Sequence, residues 1–230
     1  MEDKKSTLIT AHSGSDGTPD NSMEFVNYAL GTAVDALEID VRQAANGTLI
    51  ISHDETGEEA VTLKEVFDAV RGHEKRINCD LKEYGLEEAV NELAVSCGLA
   101  EGQILFSGSV KPREERSGRP WEAVEVFWNV EECISDIYVC EAGGEREKIT
   151  AEMARKLAVE AARSGYSVIN INEKYLNEAV LETIKSHHMG ISAWTVNEPD
   201  RISQLLELGV HNITTRRPAE ALKLRGRDKN

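Results

Sequence analysis

No stretch of the 230-residue chain approaches the roughly 18 continuous apolar residues of a membrane span. The charged start Met1-Glu2-Asp3-Lys4-Lys5 runs into the first strand-like segment without an apolar stretch of signal length. A soluble, cytoplasmic protein with no membrane insertion is therefore expected. Cysteine is scarce, and Cys79, Cys97, Cys133 and Cys140 are spaced too widely and irregularly for a Cys-x-x-Cys metal site or a stapled secreted framework. That usage fits a reducing compartment. No Gly-x-Gly-x-x-Gly turn or P-loop follows a strand; Gly14 and Gly17 have the wrong spacing for either, which argues against an open dinucleotide-binding sheet. Positive charge is also short, 26 Lys and Arg against 41 Asp and Glu for a net charge of -15, which disfavours nucleic acid and anionic membrane as partners. A small anionic substrate remains compatible, provided a metal ion or a well-placed lysine supplies local positive charge. Internal repeats, linkers and low-complexity segments are absent, so one domain over residues 1–230 is expected.

Strand-like and helical runs alternate almost from end to end. Strands are expected near Leu8 to His12, Ala36 to Val41, Ile77 to Leu81, Ile104 to Ser107, Val124 to Trp128, Val168 to Ile171, Ile191 to Val196 and Asn212 to Thr214. Asn46-Gly47, a hairpin turn signal, predicts an extra strand from Thr48 to Ser52. Asn21 or Ser22 should cap a helix ending at Gly31, and Thr62 with Glu65 forms a capping box for the run to Arg71. Further helices are read at Leu86 to Ser96, Thr150 to Ser164, Asn177 to His187 and Pro199 to Leu208, each followed by a glycine stop. Lys111 to Pro120 reads as a mobile loop or frayed helix, and the acidic run Glu141 to Glu147 as surface. Eight strands with intervening helices point to the α/β class and a (β/α)8 TIM barrel.

Chemistry in such barrels sits at the carboxyl ends of the strands. In Leu37-Glu38-Ile39-Asp40-Val41 the two acids share one face and the apolar residues the other. Adjacent acids repel and resist burial unless a cation lies between them, so the pattern reads either as a metal site or as a solvated edge strand. Asp80 and Lys82 share a face on the third barrel strand, as site residues or as a simple ion pair. His12, His53, Ser107, Asn129, Asn172, Trp194 and Thr214 complete the rim. Trp194 reads as a substrate wall or a core plug, Asn129 and Asn172 as turn or capping residues, and Arg216 with Arg217 as a source of positive charge after the eighth strand or, more simply, as a solvated basic pair. His73, His187, His188 and His211 fall near helix ends and loops.

Ala11-His12-Ser13-Gly14, Pro19-Asp20-Asn21-Ser22, Glu38-Ile39-Asp40-Val41 and His53-Asp54 follow, in order and at similar spacing, the Ala-His-Arg-Gly, Pro-Glu-Asn-Thr, Glu-Xaa-Asp-Val and His-Asp series of the glycerophosphodiester phosphodiesterases, which this chain resembles. Asp80-Leu81-Lys82, Trp194-Thr195-Val196-Asn197, Gly209-Val210 and Ile213-Thr214-Thr215 extend the resemblance over nearly the whole chain. The resemblance implies a TIM barrel of the phospholipase-C-like phosphodiesterase type. It implies that Glu38, Asp40 and Asp80 ligate a divalent metal, Mg2+ or Ca2+ by the hardness of oxygen ligands. His12 and His53 would flank the phosphorus as base and acid, or in the reverse order, Lys82 would hold a phosphate oxygen, and Trp194 would contact substrate. The implied activity is hydrolysis of a small phosphodiester, a glycerophosphodiester or a relative, to sn-glycerol 3-phosphate and an alcohol. The resemblance further implies that a substrate hydroxyl beside the ester would attack first and yield a cyclic intermediate. Ser13 stands where the family has arginine, and Asp20 and Asp80 stand where it has glutamate. The arginine loss motivates an alternative, a non-catalytic or altered-specificity barrel that binds a phosphorylated metabolite. A metal-dependent aldolase or isomerase barrel accounts less well for the paired histidines.

Overall fold

The computed structural model describes residues 7–55, 60–111, 115, 117–132 and 149–227. Its strands are β1 (Leu8–Ala11), β2 (Ala36–Gln43), β3 (Leu49–Ile51), β4 (Arg76–Leu81), β5 (Ile104–Gly108), β6 (Glu125–Asn129), β7 (Val168–Asn172), β8 (Gly190–Trp194) and β9 (Asn212–Thr215). All but β3 pair in parallel, in the order β1-β9-β8-β7-β6-β5-β4-β2, and the β1–β2 pairing closes the circle as an eight-stranded barrel. β3 lies antiparallel against the end of β2, Val41 opposite Ile51. The Asn46-Gly47 turn joins them, with Asn46 Oδ1 accepting from the Thr48 amide at 3.0 Å. Helices α1 (Met23–Leu30), α2 (Leu63–Val70), α3 (Glu87–Ser96), α4 (Ala151–Arg163), α5 (Glu178–Ser186), α6 (Pro199–Glu207) and α7 (Pro218–Arg227) accompany the strands. No helix among the described residues is long and apolar enough to cross a membrane.

The sequence signals that start the helices are visible as hydrogen bonds. Thr62 and Glu65 form the reciprocal capping box of α2, whose Leu63, Val66, Phe67 and Val70 are buried. Thr150 and Asn177 cap α4 and α5. Of the two residues proposed to cap α1, Ser22 does so, accepting from the Phe25 amide at 3.1 Å. Asn21 instead has φ 45° and turns its side chain to the barrel. β8 stops at Trp194, two residues short of the expected Val196, where the Trp194–Thr195 peptide bond is cis. The sequence reading also missed α7, although Pro218 at its first position is a regular start signal. Cys133, Cys140, the acidic run at 141–147 and residues 112–114 and 116 of the expected mobile loop lie outside the described residues.

Two faces of the sheet divide the work. Outward-facing Leu37, Ile39, Val41, Ile77, Cys79 and Leu81 are buried beneath the helices. Full burial of such aliphatic side chains stabilises by about 1.5–3 kcal/mol each, which offsets the cost of holding acids on the inward face of the same strands. Inside the barrel, Leu105, Phe127 and Val168 form a small separate apolar cluster. Near the closure, polar side chains satisfy one another: Thr10 Oγ1 donates to Asn212 Oδ1 at 2.7 Å, and Asn212 Nδ2 donates to Ser192 Oγ at 2.9 Å.

At the end of β5 the chain passes so close to β4 that only glycine fits. Gly108 has φ 79°, and a Cβ there would lie 2.3 Å from the Leu81 carbonyl oxygen and 3.1 Å from Asp80 Oδ1. The left-handed backbone alone costs a non-glycine residue roughly 1–2 kcal/mol, before the clash. Gly108→Ala is expected to lower Tm by several degrees, at about 2–4 °C per kcal/mol for a chain of this size, as read by thermal denaturation.

Candidate functional site

β2 turns Glu38 and Asp40 into the barrel, where they are 6% and 5% exposed. Because β2 lies between β1 and β4, the solvated-edge reading of its alternation is excluded. β4 sets Asp80 directly opposite Asp40 in register. Carboxylate oxygens of Glu38, Asp40 and Asp80 consequently lie within 4.8 Å of one another.

Each acid is held in place. Asn21 Nδ2 donates to Asp40 Oδ2 at 2.7 Å and the Asp40 amide returns a bond to Asn21 Oδ1 at 3.0 Å. Ser107 Oγ donates to Asp80 Oδ1 at 2.6 Å, and the Ser13 amide donates to Glu38 Oε2 at 3.2 Å. Lys82 bridges two of the three, with Nζ 2.6 Å from Asp40 Oδ1 and 2.5 Å from Asp80 Oδ2. Lys82 therefore belongs to the carboxylate cluster, joining two strands as well as pairing within its own.

The electrostatics leave a cation-shaped deficit. Burial is the largest influence on Glu38 and pushes its carboxyl up to about 7; His12 opposes this, while Asp40 and Asp80 add to it. Burial would also raise Asp40, but Lys82, the Asn21 hydrogen bond and His53 together hold it below its ordinary value. Lys82 is raised in spite of burial, by Asp80 and Asp40. One ammonium faces three carboxylates, so a hard divalent cation suits the remaining charge and the all-oxygen donor set. Asn78, opposite Glu38 in register and 3% exposed, adds an Oδ1 with no hydrogen-bond partner among the described residues. A buried acceptor of that kind fits a cation or a ligand hydroxyl.

The acids floor a cavity of about 370 Å3 whose lining includes His12, His53, Lys82 and Trp194. All seven residues expected at the site from sequence thus line one cavity. His12 directly follows β1; its amide bonds the Thr215 carbonyl at 2.9 Å, and its Nδ1 lies 2.8 Å from the Ser13 carbonyl and 3.7 Å from Glu38 Oε2. His53 follows β3 on the open side, its side chain 70% exposed and its Nδ1 2.8 Å from Asp54 Oδ1. Arg42 Nε donates to the His53 carbonyl at 3.0 Å, tying that loop to β2.

Other residues were missed or misread in the sequence. Asn172 is a cap, accepting from the Lys174 amide at 3.1 Å, while Asn170 on the same strand face lines the cavity and donates to Asn129 Oδ1 at 2.8 Å. The inward period of two through Asn170 and Asn172 was the available signal. Ser13 is fully buried, and its Oγ accepts from the Asn21 amide at 2.6 Å, bracing the residue that orients Asp40. The basic pair is divided: Arg216, partly exposed, lines the cavity and pairs with Asp20 at 2.8 Å, in line with the reading of it as positive charge after the eighth strand, while Arg217 reaches the Asn197 carbonyl. His211 lies near the amino ends of the strands, beside Arg76 and Glu125, away from this cavity.

No protein-family model matches the chain. An uncharacterized Bacillus subtilis protein, YqiK, is 25% identical over 243 residues, covering 95% of this chain and 98% of the relative. Among solved structures, a putative glycerophosphoryl diester phosphodiesterase from Agrobacterium tumefaciens superimposes with a TM-score of 0.76 at 17% identity, over 97% of this chain and 99% of that one. A glycerophosphodiester phosphodiesterase from Parabacteroides distasonis gives 0.71 at 19% identity, over 97% and 98%. An Oleispira antarctica phosphodiesterase in complex with the product sn-glycerol-3-phosphate gives 0.72 at 17% identity, over 94% and 96%. The chain has the barrel fold of the glycerophosphodiester phosphodiesterases, in agreement with the motifs of its first third.

Proposed function

We propose that this protein is a metal-dependent phosphodiesterase that hydrolyses a glycerophosphodiester, or a related small phosphodiester, to sn-glycerol 3-phosphate and an alcohol. The observation that carries the reading is one cavity lined by two imidazoles and three carboxylates, with carboxylate oxygens within 4.8 Å of one another. Glu38, Asp40 and Asp80 would hold a divalent cation, Mg2+ or Ca2+, which when bound neutralises charge developing on phosphoryl oxygens.

The chain's own residues support a division of proton transfer between the histidines. A carbonyl oxygen only accepts, so the 2.8 Å contact to Ser13 fixes the proton of a neutral His12 on Nδ1 and leaves the Nε2 lone pair available as base. His53, with Nδ1 2.8 Å from the Asp54 carboxylate on the open side of the cavity, serves as the acid. In this reading His12 takes the proton of the attacking hydroxyl, which belongs either to water, giving the monoester directly, or to the substrate, giving a cyclic phosphate that a water molecule then opens. His53 protonates the alcohol oxygen as its bond to phosphorus breaks. Lys82 holds Asp40 and Asp80 together and offsets part of their charge, and Trp194 offers an apolar wall to the glycerol carbons.

Purified protein is expected to release choline from glycerophosphocholine in the presence of Mg2+, Ca2+ or Mn2+, and to stop when the cation is chelated. Failure across a broad phosphodiester panel with all three cations would instead favour a barrel that only binds a phosphorylated metabolite.

A further inference from the structure

Among the described residues, four side chains that carry or can carry positive charge line the cavity: His12, His53, Lys82 and Arg216. Lys82 is committed to two carboxylates. Ser13, in the loop after β1, is buried and committed to Asn21. Arg216 is therefore the permanently charged group with donors to spare. Its guanidinium has five N–H groups, and among the described residues Asp20 is its only side-chain partner, through Nη1 at 2.8 Å.

Its position is built rather than incidental. The Arg216 amide donates to Asn197 Oδ1 at 2.9 Å, and its carbonyl accepts from the Asp16 amide at 2.9 Å, which fixes the turn after β9 beside the His12 loop. Gly14, with φ 76°, leaves the space in which the pair sits: a Cβ there would lie 2.3 Å from Asp20 Oδ1 and 2.5 Å from Arg216 Nη1. Asp20 holds one edge of the guanidinium, and the donors left over suit the oxygens of a phosphate group, which Arg binds in a fork that a lysine cannot reproduce.

We propose that Arg216 is the phosphate-recognising residue of this site, with a phosphorylated polyol as its ligand class, presenting its guanidinium from the turn after β9. This rests on the phosphodiesterase reading above and specifies how the anion is received in a protein of net charge -15. Asp20 then anchors the arginine while weakening the site for anions by its own charge.

The test is calorimetric titration of sn-glycerol 3-phosphate into the protein with millimolar Mg2+, which needs no turnover. Arg216→Ala is expected to weaken binding by about 10- to 100-fold, the range for a charged hydrogen bond, and Arg216→Lys to recover only part of the loss. Asp20→Asn keeps an acceptor for Nη1 and removes a negative charge, so binding should tighten. The double variant Arg216→Ala with Asp20→Asn should stay at least tenfold weaker than Asp20→Asn alone. Equal affinity of those two variants would reduce Arg216 to a neutraliser of Asp20 and overturn the proposal, as would unchanged binding in Arg216→Ala. If the unaltered protein binds no sn-glycerol 3-phosphate, the phosphodiesterase reading falls and this proposal falls with it.

Discussion

Replacing His12 by alanine is expected to lower kcat for glycerophosphocholine by about 10²–10⁴-fold, the usual contribution of a positioned general base. The loss should persist with a p-nitrophenyl phosphodiester, because a good leaving group does nothing for the attacking hydroxyl. His53→Ala should behave differently. An alkoxide leaving group needs a proton and p-nitrophenolate does not, so His53→Ala should impair the natural type of substrate severely and the chromogenic one little. Geometry underlies the distinction: His12 Nδ1 faces a carbonyl, whereas His53 Nδ1 faces the Asp54 carboxylate. His53 is exposed, and His12 is partly exposed and lines the cavity, so both variants should keep the unaltered circular dichroism spectrum. The opposite pattern, with His12→Ala spared on the chromogenic substrate, would exchange the two roles. Full activity in His12→Ala would remove its role altogether.

Much of the barrel was legible because its signals are local. Strand alternation, capping residues and the Asn46-Gly47 turn act over a few residues, and each strand with its following helix is a nearly self-contained unit. Glu38, Asp40 and Asp80 were legible for the same reason: a period of two tells which side chains share a face, and parallel register then sets Asp80 opposite Asp40. What could not be read depends on contacts between distant segments. Asn21 looked like a helix cap because asparagine favours that position, and only the closed barrel brings its amide to Asp40. Arg216 could be read as a solvated charge or as a source of positive charge after the eighth strand, since nothing in the local pattern reveals that the turn after β9 meets the loop carrying Asp20. Ser13 looked like a missing donor; its actual bond to the Asn21 amide depends on the left-handed turn at that residue.

A divalent cation is expected to raise Tm strongly at pH 8 and little at pH 5.5, and the sign follows from Glu38. Burial lifts its carboxyl from an ordinary 4.5 to about 7 in the folded protein. A group whose folded pKa exceeds its unfolded one stabilises fully below the unfolded value, and that contribution disappears as pH rises through the folded one. Without a cation, stability due to Glu38 therefore falls between pH 4.5 and about 7. Asp40, held below its ordinary 3.8, acts in a separate window, losing its contribution only as pH falls through that lowered value. A bound cation reverses the Glu38 penalty, and protons compete with the cation where Glu38 is protonated. Millimolar Mg2+ or Ca2+ added after chelation should thus shift the melting curve most at high pH. Glu38→Gln, which keeps an acceptor for the Ser13 amide and removes the charge, should abolish most of that shift and leave the cation-free protein more stable at pH 8.

Calorimetric titration of the chelator-treated protein with Ca2+, Mg2+ and Mn2+ at pH 8 tests most directly whether Glu38, Asp40 and Asp80 form one metal site. One ion per chain should bind, at least tenfold more weakly at pH 5.5, and saturable binding should be lost in Glu38→Gln and in Asp80→Asn. Absence of binding by the unaltered protein, or an ion held equally well by both variants, would contradict it.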